Sequence, residues 1–439
     1  MDQATSRNHI VISADCHAGP RRSRDYRPYM DPEVLEAFDD YLEQEARATR
    51  NLFGAELQTT EAKGDEAFRS GRIAQLKALG LPDDLAVLNV ETHYRSEASI
   101  AGAWDSAARL SALEREGIVA EVIHPDGVFG ARLPFRSFAA PTKPELDAAG
   151  KRAFNRWLAD LCAEQPARRA GIIQISLHDV DRALVEIERG VKSGLTGGVG
   201  LPGIQGGSGL PGYNDARYEP LWAICEEMDL PLTHHGGTPM ADANIYGRDP
   251  FQVAALNSVE TSIGSRRPFL FLMFGGVFDR HPKLKLVITE AFAAWIPPVL
   301  RELDSHVEQF WMSGIRRRLA LRPSEYWRRN CYVGASFLSR GEAELRNEIG
   351  LENVMWGADY PHMEGTQPYT RESLRATFSE IPSGDTRKML SENAARVYGF
   401  DLEALRPMAE FVGPSPADLS APFRLQDKPP DYIGSGFRN

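Results

Sequence analysis

Eight short apolar runs are spaced along the chain, and most are separated by stretches in which apolar residues recur every three or four positions. They are HIVIS (9–13), IVAEVIHP (118–125), AGIIQIS (170–176), LTGGVGLPG (195–203), LPLTHH (230–235), KLKLVITE (283–290), RNCYVGASF (329–337) and NVMWGADY (353–360). Segments such as WDSAARLSALEREG, DRALVEIERGV and YEPLWAICEEM between them carry the helical period. Short runs without polar alternation read as strands buried on both faces, the mark of a parallel sheet. Eight strand–helix units are the number that closes a (β/α)8 TIM barrel, so the expected class is α/β.

Three regions interrupt the alternation. Residues 20–103 are polar and partly helical, and are expected to form an early helical insertion over the barrel mouth. Residues 236–270 read as an extended loop plus helix. Residues 406–439, rich in Pro, Gly and Ser, read as an extended C-terminal tail wrapping a surface or a partner subunit, which leaves 1–405 as the barrel domain.

The charge balance changes the list of partners. A net charge of −11 repels phosphate backbones, so nucleic acid is excluded as a general partner and a small-molecule substrate is expected. No basic-plus-apolar leader and no membrane-length apolar run is visible, so no membrane partner is expected. The four cysteines are scattered without a CxxC pair, which argues against disulfide and zinc-finger frameworks and for a reducing cytoplasm. A homodimer is the expected assembly.

Chemistry concentrates at the strand ends, where a barrel carries its site. Strand one ends on Asp15 and His17, strand five on His234 and His235, strand six on Glu290 and strand eight on Asp359. Imidazole together with carboxylate is the donor set of a divalent metal site. In Asp-x-His the two outer residues point the same way, which turns Cys16 toward the wall. Other signals are weaker. The formal GxGxxG at Gly198, Gly200 and Gly203 cannot open a helix past Pro202, and Ser208 lacks the surroundings of a nucleophile elbow. His124 could line the pocket, although a His-Pro pair is more often a turn; His281 precedes strand six and reads as structural, and His178 begins a helix.

The stretches ISADCHAGP, LPLTHHGG, FDRHPKLKLVITEAFAAWIPPVLRELD, RPSEYWRRNCYV, VMWGADYPHMEG and SENAARVYGF resemble, in order, the amidohydrolase-related superfamily. The branch is the one containing aminocarboxymuconate-semialdehyde decarboxylase and related metal-dependent hydrolases. The resemblance implies Asp15, His17, His235 and Asp359 as ligands of one divalent ion. It selects His235 over His234, because the family's histidine lies four residues after a proline and two before a glycine, here Pro231 and Gly237. Zinc is the expected ion, with manganese or magnesium as alternatives because Asp15 hardens the ligand set. The stretch LTGGVGLPG has no lysine to bridge a second ion.

The resemblance further implies that Asp359 handles a proton and that His362 and Glu364 border the pocket. Glu290 stands where the decarboxylases carry a proton-moving histidine, and a carboxylate gives protons poorly near neutral pH unless its pKa is raised. The resulting expectation is a hydrolase using metal-activated water, with Asp359, Glu290 and His235 as catalytic groups. A non-oxidative decarboxylase is the alternative.

Overall fold

A computed structural model of the chain describes residues 7–53, 70, 73–74, 76–77, 80, 82–87, 101–125, 131–135, 143–204, 208–236, 250–362, 364–430, 432 and 434–438. Among these residues nine strand segments occur: β1 Ile12–Ala18, β2 Ala120–Pro125, β3 Arg169–Gly171, β4 Ile173–Gln174, β5 Val199–Gly200, β6 Leu232–His235, β7 Leu286–Thr289, β8 Cys331–Ser336 and β9 Val354–Gly357. Every neighbouring pair is parallel, in the orders β1-β2-β3 and β4 through β9. Ile172 joins the two sheets: its N–H donates to Ile123 O at 3.0 Å, and the next N–H, of Ile173, donates to Gly198 O at 2.9 Å. β3 and β4 are therefore one stave. At the other seam Asp359 N–H donates to Asp15 O (2.8 Å) and His17 N–H to Tyr360 O (2.6 Å). Eight staves close into the expected barrel.

All eight apolar runs become staves, but the first is displaced. β1 runs through Asp15 and His17 instead of stopping at residue 13, because β2 pairs with it as far as Ala18. Its register slips between Ser13↔Glu121 and Cys16↔Ile123, so three steps on β1 match two on β2. This bulge reverses the facing of the strand. Ile10, Ile12 and Ala14 belong to the cluster filling the barrel floor with Val122, Ile172, Val287 and Met355. Cys16 and Ala18 instead join the outer layer under the helices. Asp15 and His17 thereby take over the inward face just above the floor. Ser13 repairs the ladder where the strand buckles: its hydroxyl accepts from Ala358 N–H (2.8 Å) and donates to Asp15 O (2.7 Å).

Two helices seal the barrel floor from below. Helix Asn393–Tyr398 contributes Ala394, Val397 and Tyr398, and helix Leu402–Val412 contributes Leu405, Ala409 and Val412. The second helix runs across the 405/406 division drawn from composition, because its apolar residues at i, i+4 and i+7 share one buried face. Within 20–103, the turn Ser23–Tyr29 docks on helix Pro144–Ala163, where Tyr29 Oη donates to Asp160 Oδ2 (2.9 Å) and Arg156 pairs with Asp31 (2.5 Å). The parts of that insertion at 54–69 and 88–100, and of the later loop at 237–249, lie outside the described residues. No helix among the described residues is long and apolar enough to cross a membrane.

Behind β1 sits a buried ion pair. Glu121 on β2 opposes Arg109 of helix Ser106–Arg115, with Nε–Oε1 2.8 Å and Nη2–Oε2 2.5 Å. Burial works against charge on Glu121, but Arg109 and Arg169 outweigh it and hold the carboxyl below its usual range. Arg109 Nη1 also donates to His17 O and Gly102 O, both at 2.8 Å. Removing one partner of a buried pair strands the other charge, which costs about 3–5 kcal/mol. Arg109→Leu is expected to lower the unfolding free energy by about that amount. Urea melts check this, and a loss under about 1 kcal/mol would mean that the pair contributes like a surface contact.

Candidate active site

The strand ends converge on one cavity face. On β2, Ala120 and Val122 point inward, and alternation carries His124 inward above them. On β6, alternation separates the two histidines. His235 enters the cavity, while the buried His234 lies opposite, with Nδ1 3.2 Å from Leu201 O. Burial pushes His234 down to about 4, so it is neutral.

β7 and β9 end in left-handed turns. Glu290 would follow Leu286 and Ile288 outward by alternation, but its backbone (φ 53°) ends the strand and its carboxylate reaches His235 Nδ1 at 3.5 Å. Asp359, two beyond Gly357, has φ 58°. Non-glycine residues in this region carry strain of order 1–3 kcal/mol, which persists where the surroundings impose it and is typical of functional sites.

The central donors lie close together. Asp15 Oδ1 is 3.4 Å from His17 Nε2 and 3.2 Å from His235 Nε2, and the two imidazole nitrogens are 3.1 Å apart. His17 Nε2 is 3.2 Å from Asp359 Oδ1, and His362 Nδ1 is 3.0 Å from the same oxygen. Ligands about 2.1 Å from a shared ion would be separated by roughly 3.0–3.4 Å, in six- or fourfold surroundings.

Lone pairs also face one another. The Pro125 carbonyl can only accept, so His17 Nδ1, 2.9 Å away, must carry the ring hydrogen, and neutral His17 turns a bare Nε2 on its neighbours. Asp359 is wholly buried, yet among the described residues neither of its oxygens accepts a hydrogen bond. Burial and His362 oppose charge on His17, but Asp15 and Asp359 prevail and raise it to about 10. Burial likewise opposes charge on Asp15, and His235 and His17 overcome it, holding the carboxyl well below its usual range. The spot thus favours positive charge in a buried setting, and its nitrogen and carboxylate donors suit a divalent cation.

Of the expected residues, Asp15, His17, His235, Glu290 and Asp359 come together, as do His362 and Glu364. His362 stacks on His17 at 3.9 Å, and Glu364 groups with Glu290 and Asp359. His281 pairs with Glu219 (3.0 Å) and Glu226 (3.2 Å) at the start of strand six, a structural position. Two residues were missed or set aside. His124 lies with its ring 4.5 Å from His235 and Nε2 4.0 Å from Asp15 Oδ1. Its inward parity with Val122 was the available signal. Ser336, ending β8, donates its hydroxyl to Asp15 Oδ2, which leaves Oδ1 toward the histidines. Nothing in the string GASF announces that role.

Burial pushes Glu290 up to about 7, and Asp359 adds to the shift. Its side chain keeps about a quarter of its surface (26%) exposed, so this carboxyl, unlike the fully buried Asp15 and Asp359, has a path to solvent.

A closed barrel whose strand ends bring imidazoles and carboxylates together defines a class, and the comparisons agree with it. The chain belongs to the Amidohydrolase family, whose sequence model matches residues 120–400. Gamma-resorcylate decarboxylase of Rhodococcus jostii is 29% identical over 279 residues, covering 60% of this chain and 80% of that protein. The crystal structure of 5-carboxyvanillate decarboxylase from Sphingomonas paucimobilis superposes with a TM-score of 0.58 at 21% identity, covering 89% of this chain and 99% of that one. The dihydroxybenzoic acid decarboxylase of Polaromonas, solved with manganese and the inhibitor 2-nitroresorcinol, gives 0.57 at 18% identity over 89% and 97%. The chain is thus an enzyme of the amidohydrolase superfamily, and these relatives are named as decarboxylases, whereas hydrolysis was the first expectation.

Proposed function

We propose that the protein is a non-oxidative decarboxylase of a small hydroxylated aromatic acid, working with one divalent cation held by Asp15, His17, His235 and Asp359. The observation that carries this reading is Glu290. Its replacement of histidine spoke against decarboxylation only while it was assumed ionised, and a carboxyl raised to about 7 is a proton donor at neutral pH. The relatives' names supply the substrate class, and manganese in the Polaromonas structure favours that ion over zinc.

A bound cation would supply Lewis acidity for the substrate's carboxylate and neighbouring hydroxyl oxygen. The chain's own groups do the rest. Glu290 gives its proton to the ring carbon that bears the carboxylate. The carbon–carbon bond then breaks, its electron pair restores the aromatic ring, and carbon dioxide leaves. Glu290 recovers a proton from solvent through its exposed side. Asp359 supplies charge at the floor of the site, and His362, stacked on His17, holds that ring against rotation. The exposed face of Phe292, beside Phe337 (ring centroids 6.2 Å apart), offers an aromatic wall.

Metal-free protein reloaded with Mn2+ is expected to release carbon dioxide from gamma-resorcylate or 5-carboxyvanillate, and a chelator should abolish the release. Headspace carbon dioxide and the phenolic product are the measurements. Solvent oxygen-18 entering a cleaved product, with no carbon dioxide formed, would restore the hydrolase reading.

A further inference from the structure

We infer that the end of the chain, Tyr432 with residues 434–438, is a positioning element of the active site that ties together the loops after β7, β8 and β9. The inference rests on the proposed function for what its turnover arm reads, and on the proposed cation ligands alone for what its calorimetric arm reads.

The segment grips the β9 loop first. Tyr432 Oη donates to Gly365 O (2.7 Å), Ser435 N–H donates to Glu364 O (2.8 Å), and the buried Ser373 hydroxyl donates to Gly436 O (2.6 Å). The fit leaves no space. A Cβ on Gly434 would stand 2.5 Å from Tyr432 Oη and 2.7 Å from the Gly365 carbonyl oxygen. Gly365 in turn is pressed on the turn that carries Asp359, where a Cβ would meet Ala358 O at 2.8 Å and Asp359 O at 2.9 Å. His362 N–H closes the turn onto Asp359 O at 2.8 Å.

Arg438 grips the other two loops. Its Nη2 donates to Phe337 O (3.3 Å) and to Glu342 Oε2 (2.8 Å), and its guanidinium lies 4.1 Å from the Phe292 ring centroid. Glu342 is only 3% exposed, and its other oxygen accepts from Ala293 N–H at 2.7 Å, in the loop that follows Glu290. Oε2 also accepts from Ser339 N–H (2.9 Å), in the loop after Ser336. One buried carboxylate thus fastens the backbones behind the acid and behind the hydroxyl that orients Asp15, and Arg438 is its counter-charge. The rings of Phe292 and Phe337, whose backbones have φ 54° and 44°, flank the guanidinium, so both strained turns meet at this residue.

The test uses full-length Mn2+ enzyme. Arg438→Gln is expected to lower kcat about tenfold, with KM held within about twofold and Mn2+ affinity unchanged, and Arg438→Lys should recover most of the loss. Gly434→Ala is expected to weaken Mn2+ binding about tenfold by calorimetry, because it displaces Gly365 and the Asp359 turn. Turnover is counted per folded, metal-loaded molecule. Wild-type kcat in Arg438→Gln, or a lysine variant no better than glutamine, overturns the inference. If the wild type releases no carbon dioxide, the proposed function fails, and the calorimetric arm decides alone: unchanged Mn2+ affinity in Gly434→Ala overturns the inference and a weakened one supports it.

Discussion

Glu290→Gln is expected to bind Mn2+ as the wild type does while releasing carbon dioxide about 10²–10⁴-fold more slowly, the range that one general acid supplies. The amide keeps the side chain's shape but has no acidic proton. The pH profile sharpens the test. Burial and Asp359 raise Glu290 to about 7, and the protonated form is the donor, so wild-type kcat should be full below that value and fall as pH rises through it. The glutamine variant should lack this alkaline limb. Glu290→His should retain activity, since it installs the group that the family resemblance expects there. Wild-type turnover in Glu290→Gln would remove the acid from the mechanism.

Asp359→Asn is expected to have the second large effect. Asp359 is fully buried, and imidazole nitrogens of His17 and His362 lie within 3.2 Å of Oδ1. The asparagine has nearly the same volume, so packing should survive. What goes is a buried negative charge facing the cation position. Loss of roughly 4 kcal/mol of electrostatic stabilisation corresponds to about a thousandfold in kcat. Steady-state kinetics at saturating Mn2+, with metal content measured on the same sample, checks this. Undiminished turnover would show that Asp15 and the two histidines suffice.

Much of this site was legible in the sequence because barrel chemistry collects where strands stop, and the strands were readable as apolar runs. His235, Glu290 and Asp359 follow from that rule alone. The facing of side chains was less accessible. Alternation separates His234 from His235 only once the inward face of β6 is known, and the family spacing pointed to His235, the one that faces the cavity. For Glu290 alternation points the wrong way, since it predicts an outward side chain. The left-handed turn that redirects it is set by packing around a non-glycine residue, which propensity does not reveal. Ser336 and Arg438 were invisible for a different reason: each acts through a partner hundreds of positions away or through a backbone carbonyl. His124 was discounted as a turn residue, and its parity with Val122 outweighs that prior.

The buckle in β1 has a consequence for anyone altering this protein. It acts like a reading frame. Were all residues from Ile12 to Ala18 kept but paired regularly, without the surplus step, the strand would still be apolar enough to pair, but it would carry Cys16 and Ala18 into the cavity and drive a carboxylate and an imidazole under the helices. An Asp-x-His tripeptide grafted onto another barrel would therefore face the cavity only where the parity of the recipient strand suits it, and behind residues that alternate as Ile12 and Ala14 do it would need the surplus step and the serine that bridges it.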